Sequence, residues 1–362
     1  PANLDSYNLK QEGFYNSVEI FNPATAKTFD LSRYEVALLG APFTENNTYE
    51  PQFVDQVRNE LATLSAFQNI RITDLGNCRQ GNTLKDSIAA LKDILTHLHE
   101  HDIFVVIISN TNLTIKTFLE YQHTTDHTKF IEVDSNFSIN KLQGFLPQGW
   151  EEQLNYCNIG YQNYYIQNSD HEWLKKHNYE AFRLGEVRSN LPAIEPLIRD
   201  ADIINLSMNS LKQQEAPGQR KVSPNGFYSE EFCQIARYAG TGDYLKIASI
   251  TDFKPNSEEQ TIKLTAQIIW FLVEGYILRT TEDPLNDSHI RKFNVSHGQT
   301  NDQIVFYKSE KTERWWIEIP KYKNGRNTTL PASYKDYTDA CNQEIPYRWI
   351  KAMQKHNISE DL

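Results

Sequence analysis

The sequence predicts an α/β fold: a doubly wound, mostly parallel sheet with helices on both faces, followed by a small C-terminal hairpin-and-helix appendage. Three observations predict it. Short apolar runs alternate with amphipathic segments from Tyr34 to Arg279. Some runs, such as Phe104–Ile108 (FVVII), are apolar at every position and rich in β-branched residues, which suits strands buried on both faces. The stretches between them carry apolar residues at helical spacing, and alternation this sustained builds parallel strand–helix–strand units.

The elements follow in order. Tyr34–Gly40 (YEVALLG) reads as a buried strand closed by a Gly-Ala-Pro turn. Phe53, Val57, Leu61, Leu64 and Phe67 fall at helical spacing, and Arg71–Leu75 is the second strand. Leu84, Ile88, Leu91, Leu95 and Leu98 mark the next helix, ahead of the strand Phe104–Ile108. A helix is expected from Leu113 to Tyr121 and a strand at Phe130–Asp134. Further strands are expected at Cys157–Gly160, Ala181–Leu184, Ile203–Leu206 and Leu245–Ile250. Helices are expected near Glu172–Lys176, Ile194–Arg199 and Glu230–Tyr238. The helix Gln260–Arg279 is apolar on most sides and is expected to pack into the body of the domain. After Thr280 the composition changes. Gln303–Lys308 (QIVFYK) and Arg314–Ile319 (RWWIEI) read as a β-hairpin, with short helices near Tyr334–Asn342 and Pro346–His356. This divides the chain into residues 1–280, an α/β domain, and 281–362, an extension expected to pack on the same domain because about 80 residues make a marginal core.

Bulk chemistry excludes some functions. The formal charge of -11 speaks against a nucleic-acid partner, which needs clustered Lys and Arg. No apolar run approaches the length of a membrane span. Pro1–Lys10 is polar, unlike a signal peptide. Cys78, Cys157, Cys233 and Cys341 are far apart with no zinc spacing, so buried reduced thiols and a cytoplasmic location are expected. The run His97-Leu98-His99-Glu100-His101 ends a solvated helix; residues two apart point to different faces, so a surface role is expected. His123 and His127 are separated by a polar segment that reads as a loop. No nucleophile elbow or Gly-rich phosphate loop occurs. Trp315, Trp316, Phe306 and Tyr307 are expected to pack within or under the hairpin.

In open parallel sheets ligands sit beyond the carboxyl ends of the strands. Four strand ends are polar here: Ser109-Asn110-Thr111-Asn112, Asp134-Ser135-Asn136-Phe137-Ser138, Ser207-Met208-Asn209-Ser210 and Thr251-Asp252-Phe253-Lys254. The expected site is a cleft lined by amides and hydroxyls, with Asp134 and Asp252 as its anions. The alternative is that these are ordinary polar loops.

Several short motifs occur in a telling order. Val36–Phe43 (VALLGAPF), Val57–Leu61 (VRNEL), Asp74–Asn77 (DLGN), Asn158–Tyr161 (NIGY), Phe182–Arg188 (FRLGEVR), Gln214–Gly218 (QEAPG), Ser223–Glu231 (SPNGFYSEE), Ile235–Gly240 (IARYAG) and Arg314–Ile319 span most of the chain. In this order the chain resembles the arginase, agmatinase and formimidoylglutamase superfamily, most of all the formimidoylglutamase-like proteins. The resemblance implies an arginase-like three-layer α/β/α fold. It also implies two manganese ions whose bridging hydroxide attacks a guanidino or formimino carbon. A pair of dications needs several carboxylates, completed by imidazole, to hold it and to generate hydroxide near neutral pH.

The family's ligand motifs map onto the polar strand ends, and this chain departs from them. Where the family has Gly-Gly-x-His, the last position is Asn112. Asp-x-His-x-Asp becomes Asp134, Asn136 and Ser138. Ser-x-Asp-x-Asp becomes Asn205, Ser207 and Asn209. The acidic residue of the fourth strand end corresponds to Asp252. The expectation is a catalytically inactive relative with no metal cofactor and no catalytic residues, acting through a protein partner or a small polar metabolite. Two alternatives stay open: an active ureohydrolase or formimidoylglutamase-type C–N hydrolase, and an enzyme with single-metal or metal-independent chemistry in the same cleft. Family members commonly self-associate, so a homo-oligomer is a further expectation.

Overall fold

The computed structural model describes residues 13–22, 24, 29–44, 46–110, 117, 128–138, 154–296, 303–320 and 328–355. The expected helix 113–121 apart from Thr117, together with Asn112, His123, His127 and the first ten residues, lies outside them.

The chain divides into two compact units: residues 1–189 with 201–279, and residues 190–200 with 280–362. In the first, the described residues form a nine-stranded parallel sheet. Its strands are β1 (Val18–Ile20), β2 (Val36–Ala41), β3 (Ile72–Asn77), β4 (Phe104–Ser109), β5 (Thr128–Val133), β6 (Leu154–Tyr161), β7 (Glu180–Arg183), β8 (Ile203–Ser207) and β9 (Ile247–Thr251). Their spatial order is β1-β3-β2-β4-β9-β8-β5-β6-β7, and every pairing is parallel. The chain therefore winds outward from β2, returns to the other side, and closes the middle last with β8 and β9.

Helices cover both faces. Helix α1 spans Gln52–Leu61, α2 Leu84–Glu100, α3 Asn168–Lys176, α4 Leu184–Ser189, α6 Ser229–Gly240 and α7 Glu259–Ile277, with α5 (Glu195–Arg199) in the second unit. Helix α2 starts where Thr83 and Asp86 cap each other's backbone N–H groups. Its Leu91, Leu95 and Leu98 pack with Leu174 of α3 on the sheet face that carries Val105, Ile107, Phe130, Tyr156, Ile203 and Ile247. The other face stacks Phe104 on Tyr276 of α7, with ring centroids 5.4 Å apart. Helices α6 and α7 cross where Gly240 and Gly275 meet. A Cβ on Gly275 would lie 2.3 Å from the Arg237 carbonyl oxygen.

Several expectations shift. Helix α1 stops at Leu61 rather than reaching Phe67, and Thr63 and Leu64 continue as turns bonded back to Glu60 and Leu61. Strand β7 ends at Arg183 and runs directly into α4 at Leu184, which the sequence assigns to the strand. The short strand β1, added at the sheet edge beside β3, has no apolar run to announce it.

The second unit holds a four-stranded antiparallel sheet rather than a hairpin: β10 (Ile290–Ser296), β11 (Gln303–Ser309), β12 (Trp315–Ile319) and β13 (Thr328–Ala332). It also holds α8 (Tyr334–Cys341) and α9 (Tyr347–Lys355). Phe306, Tyr307, Trp315 and Trp316 are buried there. Residues 190–200 join this unit although they lie far upstream. Arg199 is the reason. Its guanidinium pairs with Glu195 at 2.9 Å, lies 5.0 Å from the Trp316 ring and donates to the Trp315 carbonyl. Cys78, Cys157 and Cys233 are buried as free thiols, whereas Cys341 is exposed.

Candidate functional site

Strand order brings the polar strand ends together. β4, β9, β8 and β5 are consecutive in the sheet, so Ser109-Asn110, Thr251-Asp252, Ser207 and Asp134 line up along one edge. This is where the order of strands reverses and a crevice is expected. Asn112 is outside the described residues. The other six expected residues, Asp134, Asn136, Ser138, Ser207, Asn209 and Asp252, all sit on these strand ends.

Their partners define the chemistry. The Ser207 hydroxyl is fully buried and donates to an Asp252 carboxylate oxygen at 2.8 Å. Thr251 Oγ1 lies 3.2 Å from the same oxygen and 3.0 Å from Asn205 Oδ1, and its one proton serves one of them at a time. Asp252 is held at φ +67, a left-handed conformation uncommon outside glycine, and its carbonyl accepts from the Arg220 N–H at 2.8 Å. Asn209 spends its amide oxygen on the Lys221 N–H at 2.8 Å. One Asp134 carboxylate oxygen lies 3.4 Å from both the Ser135 hydroxyl and the Asn136 N–H, and the Asp134 carbonyl accepts from Asn158 Nδ2. Both contacts are at the long end of hydrogen bonding, and they give the Asp134 carboxylate one hydroxyl and one backbone donor. Ser138 is half-buried beside it.

The structure adds residues that the sequence reading missed. Strand register places Ser249, Asn205, Glu132 and Asn158 in one row across β9, β8, β5 and β6. Side chains alternate along a strand, so this row lies on the same face as Thr251, Ser207 and Asp134, one step below them. All four are buried. Ser249 donates to Asn205 Oδ1 at 2.9 Å, and the Tyr156 hydroxyl donates to Glu132 at 2.7 Å. Burial, then the Glu132 charge, pushes the Tyr156 phenol well above its ordinary value. The equivalent row on the opposite face is Ala248, Ile204, Ile131 and Cys157, which is apolar. One sheet face therefore carries a polar belt toward its carboxyl edge. The signal was present as period-two polarity: Asn205 and Ser207, Ser249 and Thr251, Glu132 and Asp134.

The belt is not fully satisfied. Among the described residues, Asn110 Oδ1, Asn136 Oδ1, Asn158 Oδ1 and Asn205 Nδ2 are buried without a hydrogen-bond partner. Groups of this kind are costly unless something polar meets them. Among the described residues no three His, Cys, Asp or Glu side chains converge as a metal site would need.

Two of the motifs that carry the family resemblance turn out to be one structural device. Arg58 of VRNEL clamps Asp74 of DLGN through two bonds of 2.9 and 3.1 Å, and reaches the Gly76 carbonyl and Asn77 Oδ1. The Tyr15 hydroxyl and the Gly76 N–H complete Asp74. Burial alone would lower the Arg58 guanidinium, but Asp74 reverses this and raises it. These residues lock α1 onto β3.

No protein-family model and no curated protein matches the sequence. Solved structures do match. The formimidoylglutamase from Bacillus subtilis subsp. subtilis str. 168 aligns with a TM-score of 0.64 at 18% identity, over 76% of this chain and 95% of that one. The Trypanosoma cruzi formiminoglutamase, solved with manganese, gives 0.62 at 14% identity, over 69% and 96%. The agmatine ureohydrolase of Thermoplasma volcanium gives 0.56 at 14% identity, over 69% and 93%. The chain shares the arginase-type α/β fold of these solved structures. Among the described residues no helix is long and apolar enough to cross a membrane.

Proposed function

We propose that this chain uses the arginase-type fold without a metal pair, as a binding protein whose crevice takes a small polar ligand or presents a surface to a protein partner. The observation that carries this reading is the hydrogen bond from Ser207 to Asp252. At the position of Ser207 the family motif has a second carboxylate. Two carboxylates at that distance need a cation or a shared proton between them, whereas a hydroxyl and a carboxylate need neither.

The remaining donors fit two dications poorly. Asp134 and Asp252 are the anions on these strand ends, and Asn136, Ser138, Ser207 and Asn209 are neutral. The Asn209 oxygen already accepts a backbone N–H. Two charges against four leave a large uncompensated charge in a buried place. No reaction step is therefore routed through manganese, and no residue is assigned a catalytic role. The buried Asn110, Asn136, Asn158 and Asn205 amide atoms, unpartnered among the described residues, favour a ligand that both donates and accepts hydrogen bonds.

A second reading has support of its own. The similar solved structures are named as formiminoglutamases and an agmatine ureohydrolase, which favours a C–N hydrolase acting on a formimino or guanidino substrate. Elemental analysis of the purified chain, with and without added manganese, separates the two readings when paired with hydrolysis assays on formiminoglutamate, agmatine and arginine. The binding reading expects substoichiometric manganese and no turnover, with a thermal shift for any compound that enters the crevice. Two manganese ions per chain, or turnover of any of the three, would overturn it.

A further inference from the structure

We infer that His97 and His101 form a two-imidazole chelate for a borderline divalent cation such as zinc, nickel or copper, at the carboxyl end of α2 and independent of the crevice. The sequence reading compared histidines two apart, which face different ways. The pair that matters is four apart, where side chains lie one above the other on a helix. The two rings sit with centroids 5.2 Å apart and planes at 89°. This is the helical spacing by which His pairs bind zinc elsewhere.

The surroundings favour a cation. Glu100 Oε2 lies 3.3 Å from Nδ1 of His97, leaving Nε2 as the nitrogen for the metal. A carboxylate behind the ligating ring fixes its tautomer and raises its basicity. His101 caps the end of α2, where unpaired carbonyls give the helix its partial negative charge. Both His97 and Glu100 are 62% exposed, so a hydrated ion needs no local opening. Among the described residues no third His, Cys, Asp or Glu closes on the same point, so water fills the remaining positions. Nitrogen donors with little fixed charge rank copper, nickel and zinc above manganese. The preference is opposite to that of an oxygen-rich crevice.

Titration calorimetry of the metal-free full chain with zinc chloride at neutral pH tests this. One zinc ion is expected to bind saturably. His97→Ala and His101→Ala are each expected to weaken it roughly tenfold or more. His99→Ala should leave it unchanged. That ring is half-buried, 3.4 Å from Lys246 Nζ, and is held below its ordinary pKa by burial and then by that charge. Alanine preserves the helix, and circular dichroism checks this. Absence of saturable zinc binding would overturn the inference. So would binding that survives both substitutions, or binding abolished by Asp134→Asn instead.

Discussion

A hydroxyl 2.8 Å from a carboxylate stabilises it by donating its proton, and Ser207 does this for Asp252 inside the protein. Removing the donor leaves a buried acceptor short of a partner. Ser207→Ala is therefore expected to cost about 1–3 kcal/mol of stability, read from urea unfolding. No loss would mean that water reaches Asp252 freely. A larger penalty belongs to Arg58. Its guanidinium is bonded to both oxygens of Asp74, with both side chains 5% exposed or less. Arg58→Ala strands a buried carboxylate and is expected to cost about 3–5 kcal/mol in the same measurement. A loss below about 1 kcal/mol would show that Tyr15 and the Gly76 N–H satisfy Asp74 by themselves.

At the scale of elements, the crossing of α6 and α7 depends on two glycines in contact. Gly275→Ala would drive a methyl into the Arg237 carbonyl and the Gly240 Cα. The helices must separate, and a loss of about 1–3 kcal/mol is expected in thermal unfolding. An unchanged melting temperature would refute such close packing. In the second unit the link between strands is electrostatic. Glu282 receives the hydroxyls of Ser309 and Thr312 and lies 2.9 Å from His289 Nε2. Burial alone would raise its carboxyl, but these three contacts and Arg314 outweigh burial and hold it below the ordinary value of 4.5. A carboxyl more acidic when folded than unfolded adds stability above its unfolded pKa. That stability is lost as pH falls through the folded value. Stability should therefore drop below about pH 4.5, and Glu282→Gln should flatten that limb of the pH profile. A profile identical to wild type would remove Glu282 from the account.

For the whole molecule, the proposed lack of a manganese pair has a direct consequence. An ion bound to the native state alone raises stability by mass action. Manganese should not raise the melting temperature of this chain; a manganese-dependent rise of several degrees would contradict the binding reading. The sequence by itself determined the fold class, because periods of 2 and 3.6 are local properties of the chain and apolar runs such as FVVII report burial directly. It also located the polar strand ends and fixed the shortage of anions there, which is a matter of residue identity. It did not reveal β1, β10 and β13, whose apolar patterns are short or mixed, nor the recruitment of residues 190–200 to the second unit by Arg199. Only the tertiary structure decided that β4, β9, β8 and β5 are neighbours, that Ser207 meets Asp252, and that Glu132 and Asn158 share one buried row. Strand order and register arise from pairings between residues tens of positions apart, and no local period encodes which strand lies beside which.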